Sequence, residues 1–429
     1  MSRRTLSAPR GFKDLLPADL PRVHHLERLA HRLAGDYGYR EIRPPLLEET
    51  ELFQRSVGEV TDIVEKEMFT IERAEHSFTL RPEGTAGVVR AYLEAGFQKT
   101  GPFQKLYYLG PMFRYERPQK GRERQFTQFG VECLGSLDPR LDAETISLAG
   151  RFFEELGVSG IEVRVNSMGD GADRDRFRAA VREYVEPRLG EYSEDSRVRF
   201  ERNVLRILDS KDPRDVEQNL GAPKLIDYLS DDNRAHFEAV QRHLGELGLA
   251  VHVDPSIVRG LDYYTRTVFE LHYPDLGARS ALCGGGRYDR LVEDLGGAPA
   301  GAVGFAIGFT GTLIALDELG LSEQLSHTPF DVFVATVGPE LAGEALRVAD
   351  ELRRAGMSAV FDAEDRRLKA QMKTASKFGA ALAVVLGEDE LAQGTVQLKD
   401  LRSSQATQVP RAELARAARA ALASGTEDA

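Results

Sequence analysis

Two strand-like runs, 105–116 and 125–134, flank a polar, basic loop at 117–124, and no other feature so narrows what the chain can become. Read together they predict an antiparallel hairpin with a long connection. The far end of the chain follows a different rule. After a Thr-Pro-Phe break at 328–330, the pattern predicts a strand at 331–337, a helix at 339–355, a strand at 359–362, a basic helix at 364–378 and a strand at 381–386. Such alternation over 330–429 predicts a small α/β domain with a largely parallel sheet. At 429 residues the chain has room for more than one domain of roughly 100–200 residues.

Between these ends, Val23, Leu26, Leu29 and Leu33 recur at helical spacing and predict a helix over 22–37, with Gly38 as its stop. Thr85 is the expected N-cap of a helix at 86–95, and a further helix is expected at 142–156. From about 170 to 248 the sequence turns charged and helical, as an inserted subdomain would. Strand-like sequence returns at 249–254 and 265–273, ahead of a triple glycine at 284–286. The stretch 295–316 carries no charge, yet it holds Pro299 and six glycines, so it reads as a buried strand, turn and helix rather than a membrane span. No apolar signal segment opens the chain, and the two cysteines, Cys133 and Cys283, suit buried thiols in a reducing compartment. These features predict a soluble, cytoplasmic protein with no membrane partner.

The net charge of −12 argues against a generic polyanion-coating protein, though local basic patches can still hold nucleic acid. There is no Walker A loop, zincin motif or Gly-x-Ser-x-Gly elbow. Three clusters remain. In the hairpin, Gln128 and Glu132 sit four apart on one strand, facing one way, and Arg114 on the partner strand can share that face. A guanidinium, an amide and a carboxylate so arranged suit a zwitterion or a phosphate; the same residues also suit a solvated charged hairpin. Glu83 and Thr85 stand at a helix entry, where they serve an ammonium ligand or simply the cap. The RGLDYY string at 259–264 is either a binding loop or an exposed turn with surface aromatics.

Taken together, LRPEGT at 80–85, the hairpin 110–132, RGLDYY at 259–264 and GGGRYD at 284–289 resemble the histidine–tRNA ligases, or histidyl-tRNA synthetases, of class II. The resemblance covers nearly the whole chain. It implies an α+β fold: a class II antiparallel sheet with flanking helices over 1–325, interrupted by the helical insertion, then an α/β anticodon-binding domain over 330–429. Pro45 matches the first class II motif, which lies at the family's dimer interface, so a homodimer is implied.

The implied roles fall residue by residue. Glu83, Gly84, Thr85 and Gln128 would surround the α-ammonium of histidine. Glu132 with Tyr264 would hold the imidazole, and Tyr263 would line the same pocket. Arg114 would hold the α-phosphate of ATP, and Arg259 would neutralise charge between the histidine carboxylate and that phosphate. Both arginines would be catalytic and would also touch histidine. Glu116 and Phe126 match positions on adenine, while Arg117, Gln119 and Arg124 match the loop that meets the tRNA acceptor end. ATP would act as substrate with Mg2+, without zinc, a protein-bound metal or an organic cofactor. The partners implied are histidine tRNA, L-histidine and ATP.

One departure stands out. After Gly308 the family usually continues with an acidic residue and an arginine one residue later, whereas this chain reads Phe309, Thr310, Gly311, Thr312. A lesser departure puts Glu123 where an aromatic residue is common. Gly311 therefore keeps a second reading open: a histidine-binding regulatory paralogue that does not charge tRNA. The anticodon-type domain, Arg114 and Arg259 speak against that reading. In the C-terminal domain, Arg366, Arg367, Lys369, Lys373 and Lys377 could meet an anticodon stem or form a solvated face.

Overall fold

The computed structural model describes residues 6–58, 61, 63–117, 122–208, 210–257, 261–322, 325, 330–364 and 366–424. Gln119 and Arg259, both expected at the site, lie outside the described residues. The chain divides into two compact units, 1–325 and 326–429.

In the larger unit the strands are β1 (Arg40–Glu41), β2 (Leu47–Glu49), β3 (Phe69–Arg73), β4 (His76–Leu80), β5 (Gln104–Phe113), β6 (Gln125–Leu134), β7 (Glu162–Ser167), β8 (Val251–Val253), β9 (Thr265–His272), β10 (Ala281–Arg287) and β11 (Ala302–Gly308). Eight form one sheet in the order β1-β5-β6-β11-β10-β9-β7-β8. It is antiparallel except at its two edges, where β1 joins β5 and β8 joins β7 in parallel. The β5–β6 hairpin runs from Gln104 opposite Leu134 to Phe113 opposite Gln125, so its first strand stops short of residue 116. The cause is local: Arg114 N–H still reaches the Arg124 carbonyl at 3.0 Å, but Tyr115 N–H turns away to the Glu67 carbonyl at 2.6 Å.

Alternation along β6 sorts its side chains by chemistry. Phe129, Val131 and Cys133 enter the main core with Phe152 and Phe153 of the helix Pro139–Glu155 and Leu26 and Leu33 of the helix Leu20–Asp36. Gln128, Gly130 and Glu132 are left for the opposite face. Beneath the sheet, the fully buried Arg287 donates to both oxygens of Asp142 (3.0 and 2.8 Å), to Asp289 (2.9 Å) and to the carbonyls of Ser136 and Asp138 (3.0 Å each). The uncharged stretch forms β11 and the helix Phe309–Glu318, the strand-turn-helix its composition predicts.

The inserted segment has a core of its own, in which Phe177, Val181, Tyr192, Phe200 and Ile207 meet. Asp215 anchors it, accepting hydrogen bonds from the Ser193 N–H (2.7 Å) and from the hydroxyls of Ser193, Ser196 and Ser210 (2.7, 2.6 and 2.5 Å). Phe237, Val240 and Leu244, on one stripe of the helix Asp231–Glu246, join the main core instead.

In the smaller unit, β12 (Val332–Thr336), β13 (Ala359–Phe361), β14 (Leu382–Leu386), β15 (Thr395–Asp400) and β16 (Ala406–Pro410) lie in the order β13-β12-β14-β15-β16. Only the first three are parallel; β15 and β16 add antiparallel strands, so the sheet is less parallel than the alternation predicts. The links before β15 and β16 are too short for the dozen or so residues that a parallel crossover needs. The basic helix is Leu368–Lys377, with Gln371 and Ala375 buried and Lys369, Lys373 and Lys377 exposed. Arg366 precedes it, held by Asp362 at 2.7 Å. No described helix is long and apolar enough to cross a membrane.

Candidate active site

The site grows from the turn between β4 and the helix Thr85–Glu94. Arg81 pins this turn by donating to the carbonyls of Pro111 and Pro44, each at 2.9 Å. Glu83 then folds back so that its carboxylate accepts from the N–H groups of Thr85 (2.6 Å) and Ala86 (2.8 Å). Glu83, and not Thr85, therefore closes the helix end. Gly84 occupies the N-cap position without a side chain, and a carboxylate beside it meets the positive end of the helix dipole. Burial raises the Glu83 pKa, and its two N–H partners pull part of that back.

Freed from capping, the Thr85 hydroxyl donates to Glu132 at 2.7 Å. The other oxygen of Glu132 accepts from the Tyr288 phenol. Burial drives the Glu132 carboxyl up to about 8, against the pull of these two hydroxyls and with Glu83 adding to the rise. Glycines let the carboxylate lie so deep: a Cβ at Gly130 would collide with the Tyr108 ring, and one at Gly304 with Glu132 itself.

Above this floor is a cavity of about 140 Å3, walled by Glu83, Thr85, Tyr108, Arg114, Gln128, Leu261, Tyr263, Tyr264 and Tyr288, with Gly284, Gly304 and Ala306 below. The rings of Tyr263 and Tyr264 stand 4.8 Å apart, and Tyr288 meets Tyr263 edge-on at 5.6 Å. Gln128 Oε1 is buried with no hydrogen-bond partner among the described residues. Such an acceptor carries a desolvation cost that only an incoming donor can offset.

Arg114 stands at the rim. Its Nε donates to the Pro82 carbonyl at 2.8 Å, and its guanidinium lies 5.4 Å from the Phe126 ring. Glu116 is 4.0 Å away and is itself held by Arg122 at 3.0 Å. Thus Glu83, Gly84, Thr85, Arg114, Gln128, Glu132, Tyr263 and Tyr264 converge, with Glu116 and Phe126 alongside. The outer basic residues differ. Arg117 is exposed, whereas Arg124 lies 3.8 Å over the Tyr115 ring and donates to the Glu116 and Arg10 carbonyls at 3.3 and 3.2 Å. Around Gly311, an added Cβ would meet open space. Next to it, the Thr310 hydroxyl donates to Glu123 at 3.3 Å, so the two departures noted in the sequence meet in space. Among the described residues, no group of three or more His, Cys, Asp or Glu side chains could hold a metal ion.

Sequence reasoning missed Tyr108, Leu261, Tyr288 and Ala306. Tyr288 was visible within the GGGRYD string, where only the glycines drew attention. Tyr108 is opposite Gly130 in the hairpin register, a large residue facing a missing one.

A family model described as histidyl-tRNA synthetase matches residues 11–311, and one described as anticodon binding domain matches 331–420. A histidine–tRNA ligase of Thermosynechococcus vestitus is 47% identical over 410 residues, 95% of each chain. One from Geobacillus is 45% identical, covering 94% of this chain and 96% of its own. Among solved structures, apo histidyl-tRNA synthetase of S. aureus superposes with a TM-score of 0.81 at 35% identity, over 96% of this chain and 99% of that one. A Bacillus halodurans protein titled as an ATP phosphoribosyltransferase regulatory subunit/histidyl-tRNA synthetase shares the fold at 23% identity, with a TM-score of 0.62, over 87% of this chain and 97% of that one. By the family match across the larger unit, and by relatives approaching half identity along nearly their whole length, the chain belongs to the histidyl-tRNA synthetase family.

Proposed function

We propose that this chain ligates L-histidine to histidine tRNA through a histidyl-adenylate, with ATP and its Mg2+ as substrate. The observation that carries this reading is the buried trio of Glu132, Thr85 and Tyr288 beside the unpartnered Gln128 Oε1, in a cavity sized for one small zwitterion. An imidazole supplies a donor for Glu132 and an acceptor for a phenol. Tyr288 joins Tyr264 as a candidate for that second contact. The α-ammonium supplies the donor that Gln128 lacks, with Glu83 behind it. A site built on hydrogen bonds of this kind rejects analogues that leave its buried groups unpaired.

Chemistry then follows from placement. A histidine carboxylate oxygen attacks the α-phosphorus, the bond to the bridging oxygen of the β-phosphate breaks, and pyrophosphate departs; the Mg2+ that accompanies ATP would ease that departure. No protein base is required, so orientation and charge stabilisation carry the step. Arg114 serves the α-phosphate, Arg259 the charge between carboxylate and phosphate, and Glu116 with Phe126 the adenine. A hydroxyl at the tRNA 3′ end next attacks the carbonyl and releases AMP. Arg117, Gln119 and Arg124 are assigned to the acceptor end, and the segment 331–420 to the anticodon. Exposed Leu46 and Leu47 beside Pro45 support a homodimer contact.

The test is histidine-dependent ATP–pyrophosphate exchange on the purified protein, with Arg259→Ala and Gly311→Arg beside it. Exchange in the wild type and its loss in a folded Arg259→Ala protein are expected; unchanged exchange in that variant removes Arg259 from its role. The absence of an arginine at position 311 favours one rival, a histidine-sensing paralogue without ligase activity. Silence in the wild type, with histidine still bound, supports that rival, as does co-purification with a phosphoribosyltransferase rather than tRNA.

A further inference from the structure

The first helix of the insertion, Gly171–Val185, begins at the end of β7 with Asp170 as its N-cap and Asp173 completing a capping box. Asp173 is fully buried and also accepts from the Ser230 N–H at 2.9 Å and from the Asn233 side chain at 2.5 Å. Both passages of the chain between body and insertion are thus tied to one carboxylate. One residue further on, Arg174 turns the other way. Its guanidinium donates to the carbonyl of Tyr264 and, at 3.3 Å, to that of Met168.

Burial lowers the Arg174 pKa, with Asp262 opposing, yet no carboxylate is hydrogen-bonded to it among the described residues. A partly buried guanidinium given over to two backbone carbonyls costs free energy unless it secures their position. The carbonyls belong to a segment that needs securing. Arg266 adopts a left-handed φ of 45°, which disfavours a long side chain. It is held by Arg266 N–H to the Gly169 carbonyl (2.8 Å) and by Met168 N–H to the Arg266 carbonyl (2.6 Å). Upstream, Asn166 on β7 donates to the carbonyls of Pro255 and Ile257 at 3.3 and 3.2 Å. Residues 166–174 therefore grip the segment before and after the pocket tyrosines.

We infer that Arg174 is a positioning residue for the amino-acid pocket, setting the Tyr263–Tyr264 wall from the root of the insertion. The inference rests on the proposed histidine site. It is tested by equilibrium dialysis of radiolabelled histidine and by pyrophosphate exchange with wild type, Arg174→Ala and Arg174→Lys. We expect the alanine variant to raise the histidine Kd and KM about tenfold, the size of one lost charge-assisted contact, with the ATP KM within about twofold. Lysine should restore part of the affinity, since one ammonium cannot match a planar fork on two carbonyls. If alanine prevents folding, lysine alone carries the test, with a histidine KM raised several-fold at unchanged ATP KM. Wild-type histidine affinity in a folded variant overturns the inference and leaves the site reading intact, as does an equal rise in both KM values. Failure of the wild type to bind histidine overturns the site reading and this inference with it.

Discussion

Glu132 and Asp215 are both buried to 1% exposure or less, and they behave oppositely. At Asp215, burial pushes the pKa up, but one backbone N–H and three seryl hydroxyls overcome it and bring the group down to about 2. At Glu132, burial wins against two hydroxyls and the group rises to about 8. Low exposure alone does not mark a functional carboxylate; what separates the two is how deep they lie and how fully their lone pairs are used. Asp215 is saturated by its own subdomain and has nothing left to offer. Glu132 lies behind Thr85 and Tyr288, two walls of a cavity that also holds an unpartnered amide oxygen, which a ligand can complete.

The largest effect expected from this contrast is on catalysis. Glu132→Gln should lower kcat/KM for histidine by on the order of 10²–10³ while leaving the melting temperature within a few degrees. Retained activity in that variant breaks the distinction outright. Asp215→Ala should do the reverse: three hydroxyls and an N–H lose their acceptor, costing about 1–3 kcal/mol and several degrees of melting temperature. Activity per folded molecule should persist at low temperature, and its loss would make the insertion's interior part of the site.

A third prediction uses pH. Between the ordinary carboxylate range and about 8, folded Glu132 keeps a proton that the unfolded chain has lost. Stability of the ligand-free protein should therefore fall as pH rises through this window, with a slope from this group approaching about 1.4 kcal/mol per pH unit. Asp215 has the opposite sign, contributing stability at neutral pH that is lost as pH falls toward 2. Denaturant titrations from pH 5 to 8 should show a slope that Glu132→Gln flattens and Asp215→Asn leaves unaltered. The smallest effect concerns Gly311→Arg. Its Cβ meets open space within a helix, so stability should change by no more than about 0.5–1 kcal/mol, favourably if at all. A large destabilisation would sink the reading of position 311 as unhindered.

The sequence made the hairpin legible because strand alternation separates Phe129, Val131 and Cys133 from Gln128, Gly130 and Glu132 without help from the rest of the fold. The helical insertion was legible from its charge, and the strand-turn-helix at 295–316 from its glycines. Pairings that depend on distant partners were not. The antiparallel half of the C-terminal sheet escaped because β15 and β16 are held by each other and by β14, not by a strong local pattern. The cap expected of Thr85 moves for a related reason. The residue's local preference for a cap yields to Glu83 two residues earlier and to a carboxylate 47 positions away. Most of the residues expected at the site come from short strings that the fold brings to one cavity. Tyr108 depends on the opposing gap at Gly130, which only the register reveals.

Arg287 and Tyr288 are adjacent, one rooted beneath the sheet and the other standing in the cavity above it. The guanidinium is gripped by Asp142, Asp289 and two carbonyls, so it works as a keyed shaft whose rotation is locked from below. The phenol on its upper end inherits that lock. Damage to Asp142, deep in the core and out of reach of any ligand, should therefore surface as blurred discrimination between amino acids.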